Sequence, residues 1–274
     1  MKIGLIDIEP KIFNTALMQI SHHHKSKGDT VEWAAPLEYD DYDKLYCSSL
    51  FDFTDKSQVP DSAVCGGTGF DLTTKLPFDC DLDYSIYPKC KTSYLWFSRG
   101  CIRDCPWCVV RQKEGELRSV RRKLINPKGR YITVMDNNFF ANPEWQDAIW
   151  FIDRYPVDFQ GIDVRIITKE QCQALDKMNH YKQIKIAWDD PKETLLPEIR
   201  AMLRYVKPYK IMCYVLIGFS STPYFDLLRV EALRKLKIDP FVMPYNKKDP
   251  YQKKFARWVN HKAIFKSVKW EDYR

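Results

Sequence analysis

The sequence predicts an α/β protein: a partial (β/α)6 TIM-like barrel preceded by a small doubly wound α/β domain. Three observations predict it. From residue 92 onward, short runs rich in β-branched and aromatic residues alternate with amphipathic stretches of helical period. Those runs lack strict in/out alternation, as strands do when both faces of a parallel sheet are covered. A separate β-α-β pattern opens the chain, and a turn-rich segment divides it from the rest. The expected organisation is a flavodoxin-like unit with its connector over 1–87, a barrel over 88–250, and a C-terminal helix and tail over 251–274.

In the first unit, "KIGLIDIE" (2–9) reads as a buried strand. "NTALMQISHHHKSKGD" (14–29) follows as a helix, with Asn14 as N-cap and Gly28 as its stop. "DTVEWAAP" (29–36) and "DKLYCSSLFDF" (43–53) supply two further strands, and "CGGTGFDLTTKLPFDCDLDYSIYP" (65–88) reads as a connector. Six strands are then expected in "TSYLWFS", "YITVMD", "VDFQGIDVRIIT", "KQIKIAWD", "IMCYVLIGF" and "DPFVMPYN". Helices are expected in "NPEWQDAIWFIDRY", "KEQCQALDKMN", "PKETLLPEIRAMLRYV" and "PYFDLLRVEALRKL", and a last one in "QKKFARWVNHKAIF". Such a barrel works at the C-terminal ends of its strands.

The 274 residues are 45% hydrophobic and 29% charged, a globular composition able to bury a core. No apolar run approaches the roughly 18 residues a membrane span requires, and "MKIGLIDIEPK" lacks the pattern of a secretory leader. The expectation is a cytoplasmic protein with no membrane partner. Residues 1–92 carry 9 Lys and Arg against 15 Asp and Glu, whereas the remainder has a net charge of +13. That asymmetry hints at an anionic ligand over the C-terminal two-thirds.

Nine cysteines in such a chain favour metal binding or catalysis over disulfides. Cys172 and Cys213 sit among apolar neighbours and read as core thiols. Cys47, Cys65, Cys80 and Cys90 are scattered singly, and a pairing or second metal site at Cys80 and Cys90 is the less favoured reading. Cys101, Cys105 and Cys108 differ. "FSRGCIRDCPWCVV" (97–110) crowds them into one loop as C-x3-C-x2-C, at the end of the barrel's first strand. A structural zinc site wants four ligands, and no second cysteine pair is near. Redox dithiol chemistry at Cys105-Pro106-Trp107-Cys108 leaves Cys101 without a role. A 4Fe–4S cluster on three cysteines accounts for all of them and leaves one iron open to a small molecule.

The loop "CIRDCPWC" resembles the signature of the radical S-adenosylmethionine enzymes: C-x3-C, one residue, an aromatic, then C, in a strand-to-helix context. The resemblance covers roughly residues 88–248. It implies a 4Fe–4S cluster on Cys101, Cys105 and Cys108, and S-adenosylmethionine chelated to the open iron. It further implies reductive cleavage to methionine and a 5′-deoxyadenosyl radical, fed by an external electron donor of flavodoxin or ferredoxin type. By the same resemblance Trp107 lies against the adenine. Strand-end groups that would hold the rest of S-adenosylmethionine are Asp136, Asn137, Gln160, Arg165 and Asp189, with Gly218 allowing close approach and Tyr245 facing substrate. "MDNNFF" stands where the family carries a Gly-Gly-Glu element.

The first unit resembles a shortened relative of the cobalamin-binding domains that precede some of these barrels. It lacks the D-x-H-x-x-G motif, so cobalamin is not expected, and His22, His23 and His24 read as a solvated helix end. "GGTG" lacks the Lys-Ser/Thr ending of a phosphate loop and reads as a turn. "RQKEGELRSVRRKLINPKGR" (111–130) carries eight Lys and Arg against two Glu. It reads first as solvated surface and second as a guide for a nucleic-acid or nucleotide substrate. A methylthiotransferase acting on RNA or protein, a zinc-binding interaction protein and an iron–sulfur electron carrier are the alternatives.

Overall fold

A computed structural model of the chain describes residues 1–121 and 123–274. Its first four strands, β1 (Lys2–Ile6), β2 (Thr30–Trp33), β3 (Lys44–Ser48) and β4 (Val64–Gly66), form a parallel sheet in the order β2-β1-β3-β4. Helix α1 (Thr15–Lys25) starts at Asn14, whose side chain accepts the Ala16 and Leu17 amides as expected of an N-cap. The period of two along the strands sends Ile3, Leu5 and Tyr46 toward Leu17 and Ile20 of α1. Ile6, Leu45 and Cys47 point the other way, toward Tyr39, Tyr42, Val59 and Phe70. That second face is therefore covered by loops and a 3-10 turn (Pro36–Asp41), where a doubly wound unit would place helices.

Three sequence expectations change here. β4 lies inside the stretch read as connector, since three residues among turn formers give no strand period. β1 ends at Ile6 because Asp7 turns back to accept the Glu9 amide (3.0 Å). The histidines are not a solvated end. His24 is buried between Asp29 (2.7 Å) and the Tyr46 hydroxyl (3.0 Å), and His23 stacks on Phe78 with centroids 3.8 Å apart.

The rest of the chain alternates strand and helix. β5 (Thr92–Leu95) leads through a two-residue strand β6 (Ser98–Arg99), helix α2 (Val110–Glu114) and strand β7 (Arg118–Ser119) to β8 (Tyr131–Val134). Then come α3 (Trp145–Ile152), β9 (Val157–Phe159), α4 (Lys169–Lys177), β10 (Ile184–Ala187), α5 (Leu196–Met202), β11 (Ile211–Ile217), α6 (Pro223–Lys235) and β12 (Asp239–Pro244). Two parallel three-stranded sheets result, β5-β8-β9 and β10-β11-β12, both in chain order. A single bridge, Ile162 to Ile186, joins the loop after β9 to β10. The mixed α/β class with parallel sheets is thus as expected. The stretch "VDFQGIDVRIIT" yields only three strand residues, because Asp163 and Arg165 turn it into a side-chain-braced loop. The last expected helix is two, α7 (Pro250–Asn260) and α8 (Lys262–Ser267). His261 leaves helical backbone angles there, and its ring accepts the Ile264 amide to start α8.

One face of these sheets is apolar. Ile132, Val134, Val157, Phe159, Ile184, Ile186, Cys213 and Val215 pack with Ile152, Leu175, Ile199, Val230 and Trp258 of the helices in one core. The alternate positions carry Tyr94, Thr133, Asp158, Lys185 and Tyr214 on the opposite face. There Asp158, fully buried, is paired with Lys185 and lies 3.3 Å from Lys182. Burial pushes the Lys185 pKa down, against the pull of Asp158. Cys172 and Cys213 are core thiols as expected. Burial lifts the Cys172 pKa to about 11 and drives that of Cys213 further up. Cys90 is buried, its thiol donating to the Thr92 carbonyl, and the Cys80 thiol donates to the Gln19 carbonyl. Among the described residues no helix is long and apolar enough to cross a membrane.

Candidate cofactor site

The cysteine loop is built by backbone constraints before any side chain acts. β6 and β7 pair antiparallel, Ser98 with Ser119 and Arg99 with Arg118, so residues 100–117 leave and return at one point. Gly100 stands at the exit with φ of 79°, and a Cβ there would strike the Glu116 carbonyl. The Cys101 amide donates to the Gly115 carbonyl (3.3 Å), closing the loop's neck. Within it, the Cys108 amide donates to the Cys105 carbonyl (3.0 Å), a turn around Pro106-Trp107. The Arg103 amide points at the Cys101 sulfur (3.4 Å).

Two carboxylates fasten the loop to the sheet. Asp136, fully buried after β8, accepts the Phe97 amide (2.8 Å) and both the amide and hydroxyl of Ser98 (2.6 Å each). Burial lifts its pKa to about 6 in spite of those donors. Glu114, at the end of α2, accepts from the Arg99 guanidinium, the Gly100 amide (3.0 Å) and the Asn137 amide (3.0 Å). Burial works to raise the Glu114 pKa, but these donors together hold it below the ordinary value. Arg111 adds a bond to the Cys101 carbonyl (3.0 Å).

Cys101, Cys105 and Cys108 line a single cavity of about 260 Å3 together with Arg103, Arg111, Met135, Asp136, Asn137 and Gln160. Withdrawal from water raises the pKa of Cys105 and of Cys108; Arg165 opposes the rise at Cys105, and Asp189 adds to it at Cys108. Cys101 adds to the rise at both, and Cys108 to the rise at Cys105. Among the described residues no three His, Cys, Asp or Glu side chains converge as they stand on one metal-ion position. The donor set nevertheless suits a thiolate-held cluster: three cysteines line one cavity, an N–H is aimed at one sulfur, and guanidinium groups line the same cavity.

The other expected residues divide. Asp136, Asn137 and Gln160 reach the cavity, but their polar ends are engaged: Asp136 on Ser98, Asn137 on Glu114, and Gln160 on Asp158 (2.7 Å). Asp136 is therefore a clasp on the loop and does not offer its carboxylate outward. Arg165 is tied to Asp163 (2.7 Å) and Glu193 (2.9 Å), and Arg103 binds the same Asp163 from the cysteine loop. Asp189 accepts the Leu216 amide (3.2 Å). Burial raises its pKa against the Leu216 amide, Arg229, Arg165 and the Trp107 side chain. Trp107 packs edge-on against Phe219 (5.6 Å), and Phe219 against Tyr245 (5.0 Å). Gly218 has φ of 80°, but the space above its Cα is filled by Gln252, so it does not admit a ligand there.

Glu114, Arg103, Arg111 and Asp163 escape sequence reading. Glu114 is one of two acids in a run of bases, and only the fold shows that Arg111 and Arg118 bond to backbone carbonyls of this loop, Arg118 while staying exposed. The basic stretch is thus only partly solvated surface; Arg122 within it lies outside the described residues. No protein-family model matches the chain, and no characterised protein matches its sequence at a significant level.

Proposed function

We propose that the protein is a radical S-adenosylmethionine enzyme whose strands β5 and β8 to β12 form a partial (β/α)6 barrel. The observation that carries this reading is the C-x3-C-x2-C loop that follows β5, with all three cysteines on one cavity beside the ends of β8 and β9. When bound, a 4Fe–4S cluster and S-adenosylmethionine supply the electron transfer and the organic radical.

The chain's own residues have separable tasks. Cys101, Cys105 and Cys108 hold the cluster. Asp136 and Glu114 hold the loop that carries them. Arg103 and Arg165, braced on opposite sides of Asp163, place positive charge beside Cys105, suited to the carboxylate of the methionine moiety. Trp107 and Phe219 wall the approach and exclude water on the side of Asp189. An external flavodoxin- or ferredoxin-like donor supplies the electron.

Anaerobic reconstitution is expected to give about four irons and matching sulfide per chain, and dithionite with S-adenosylmethionine to release 5′-deoxyadenosine. The Cys101→Ala/Cys105→Ala/Cys108→Ala variant loses both. Equal behaviour of variant and wild type overturns the proposal. A cluster whose spectrum ignores S-adenosylmethionine would make the protein an electron carrier.

A further inference from the structure

A second cavity lies against the first sheet. It has a volume of about 430 Å3, opens at the C-terminal ends of β1 and β2, and is lined by Asp7, Phe13, Trp33, Tyr87 and Lys89. In a parallel α/β sheet this is where ligands enter, outside the carboxyl ends of the strands. Part of its wall is aromatic. Phe13 and Tyr87 stand at 60° with centroids 5.3 Å apart, and Trp33 and Tyr87 at 52° and 5.1 Å. Tyr87 joins the other two rings into one contiguous aromatic wall of the cavity. Both larger rings are held by their polar tips: Trp33 Nε1 donates to the Ile86 carbonyl (3.2 Å), and the Tyr87 hydroxyl donates to Asp7 (3.3 Å).

Asp7 is the informative member. Among the described residues no Lys, Arg or His lies within ion-pairing distance of it, exposed Lys89 included. Its partners are the Glu9 amide and the Tyr87 hydroxyl, and Glu9 adds a second negative charge nearby. A half-buried carboxylate without a counter-ion, set against aromatic faces, is arranged to receive a cation. The surrounding unit, with 15 acids against 9 bases over residues 1–92, favours the same sign.

We propose that this cavity binds a small molecule through an alkylated ammonium group, with the cation against Trp33, Tyr87 and Phe13 and its charge balanced by Asp7. The site is independent of the cysteine loop, and its test does not require a cluster. Choline chloride is titrated calorimetrically into the full chain, beside its neutral carbon isostere, in which a tert-butyl group replaces trimethylammonium. Choline is expected to bind saturably and about tenfold or more tighter than the isostere. Asp7→Asn and Trp33→Leu should each weaken choline about tenfold with an unchanged far-ultraviolet circular dichroism spectrum. Trp33 is 39% exposed at the mouth, so its variant decides the matter if Asp7→Asn misfolds. Absence of saturable binding, equal binding of the isostere, or a Trp33→Leu variant that binds as wild type overturns the proposal.

Discussion

The two parallel β systems end their strands in contrasting ways. In the first sheet, Glu9 is engaged by Ser49, Leu50, Phe51 and Thr54, while Asp7 beside it has no cationic partner among the described residues. Beyond β5 and β8, three carboxylates withdrawn from solvent around the cysteine loop are gripped: Asp136 by the Phe97 and Ser98 amides, Glu114 by Arg99 and Gly100, Asp163 by two arginines. The contrast teaches that acid content says little about a site's chemistry until each oxygen's donors are counted. On the second side these acids hold architecture. On the first, Asp7 is the acid proposed to meet a ligand.

Breaking the buried pair on the second side gives the largest effect on stability. Lys185→Met leaves Asp158 uncompensated except for exposed Lys182, and is expected to cost about 3 kcal/mol in urea denaturation. Choline binding by the first unit should survive in the variant below its unfolding midpoint. A cost below about 1 kcal/mol would mean that Lys182 alone neutralises Asp158.

The two regions should also answer pH with opposite sign. Asp136 has a folded pKa raised to about 6 from 3.8, so its contribution is full below about pH 4 and is lost as pH rises through 6. The stability of wild type relative to Asp136→Asn should fall by about 3 kcal/mol over that window and then level. Asp83, which accepts from Lys25, Ser21 and Ser85 and anchors α1, is lowered to about 2 although burial works against it. Its contribution is present above about pH 4 and lost as pH falls toward 2, by about 1–2 kcal/mol relative to Asp83→Asn after solvent screening. Parallel pH profiles for the two variant pairs would remove the distinction between the regions.

Legibility followed how local each signal was. Asn14 beside α1, the strand in "IMCYVLIGF" and the three-cysteine loop depend on neighbours within a few positions, and they stand where expected. β4 and His24 depend on partners far along the chain: Tyr46 reaches Val64 by sheet pairing, and His24 is buried by Asp29 and Tyr46. The strand-end polar residues were findable as a set, because strand ends are where loops gather. Their roles were not, since whether Asp136 faces a ligand or Ser98 is decided by backbone atoms that carry no sequence signature. Asp158 and Lys185 place charge within β9 and β10, and only their pairing between the two strands accounts for its burial.

The fastening of the cysteine loop has a consequence for assembly. Its neck is closed by the β6–β7 ribbon, Asp136 and Glu114, none of which requires a metal. Under the proposed function the loop would be a socket made during folding, with cluster loading a later and separable event. Exchange of protons at the Cys101 and Val120 amides, whose acceptors are Gly115 and Phe97, should be slow in protein that has never met iron.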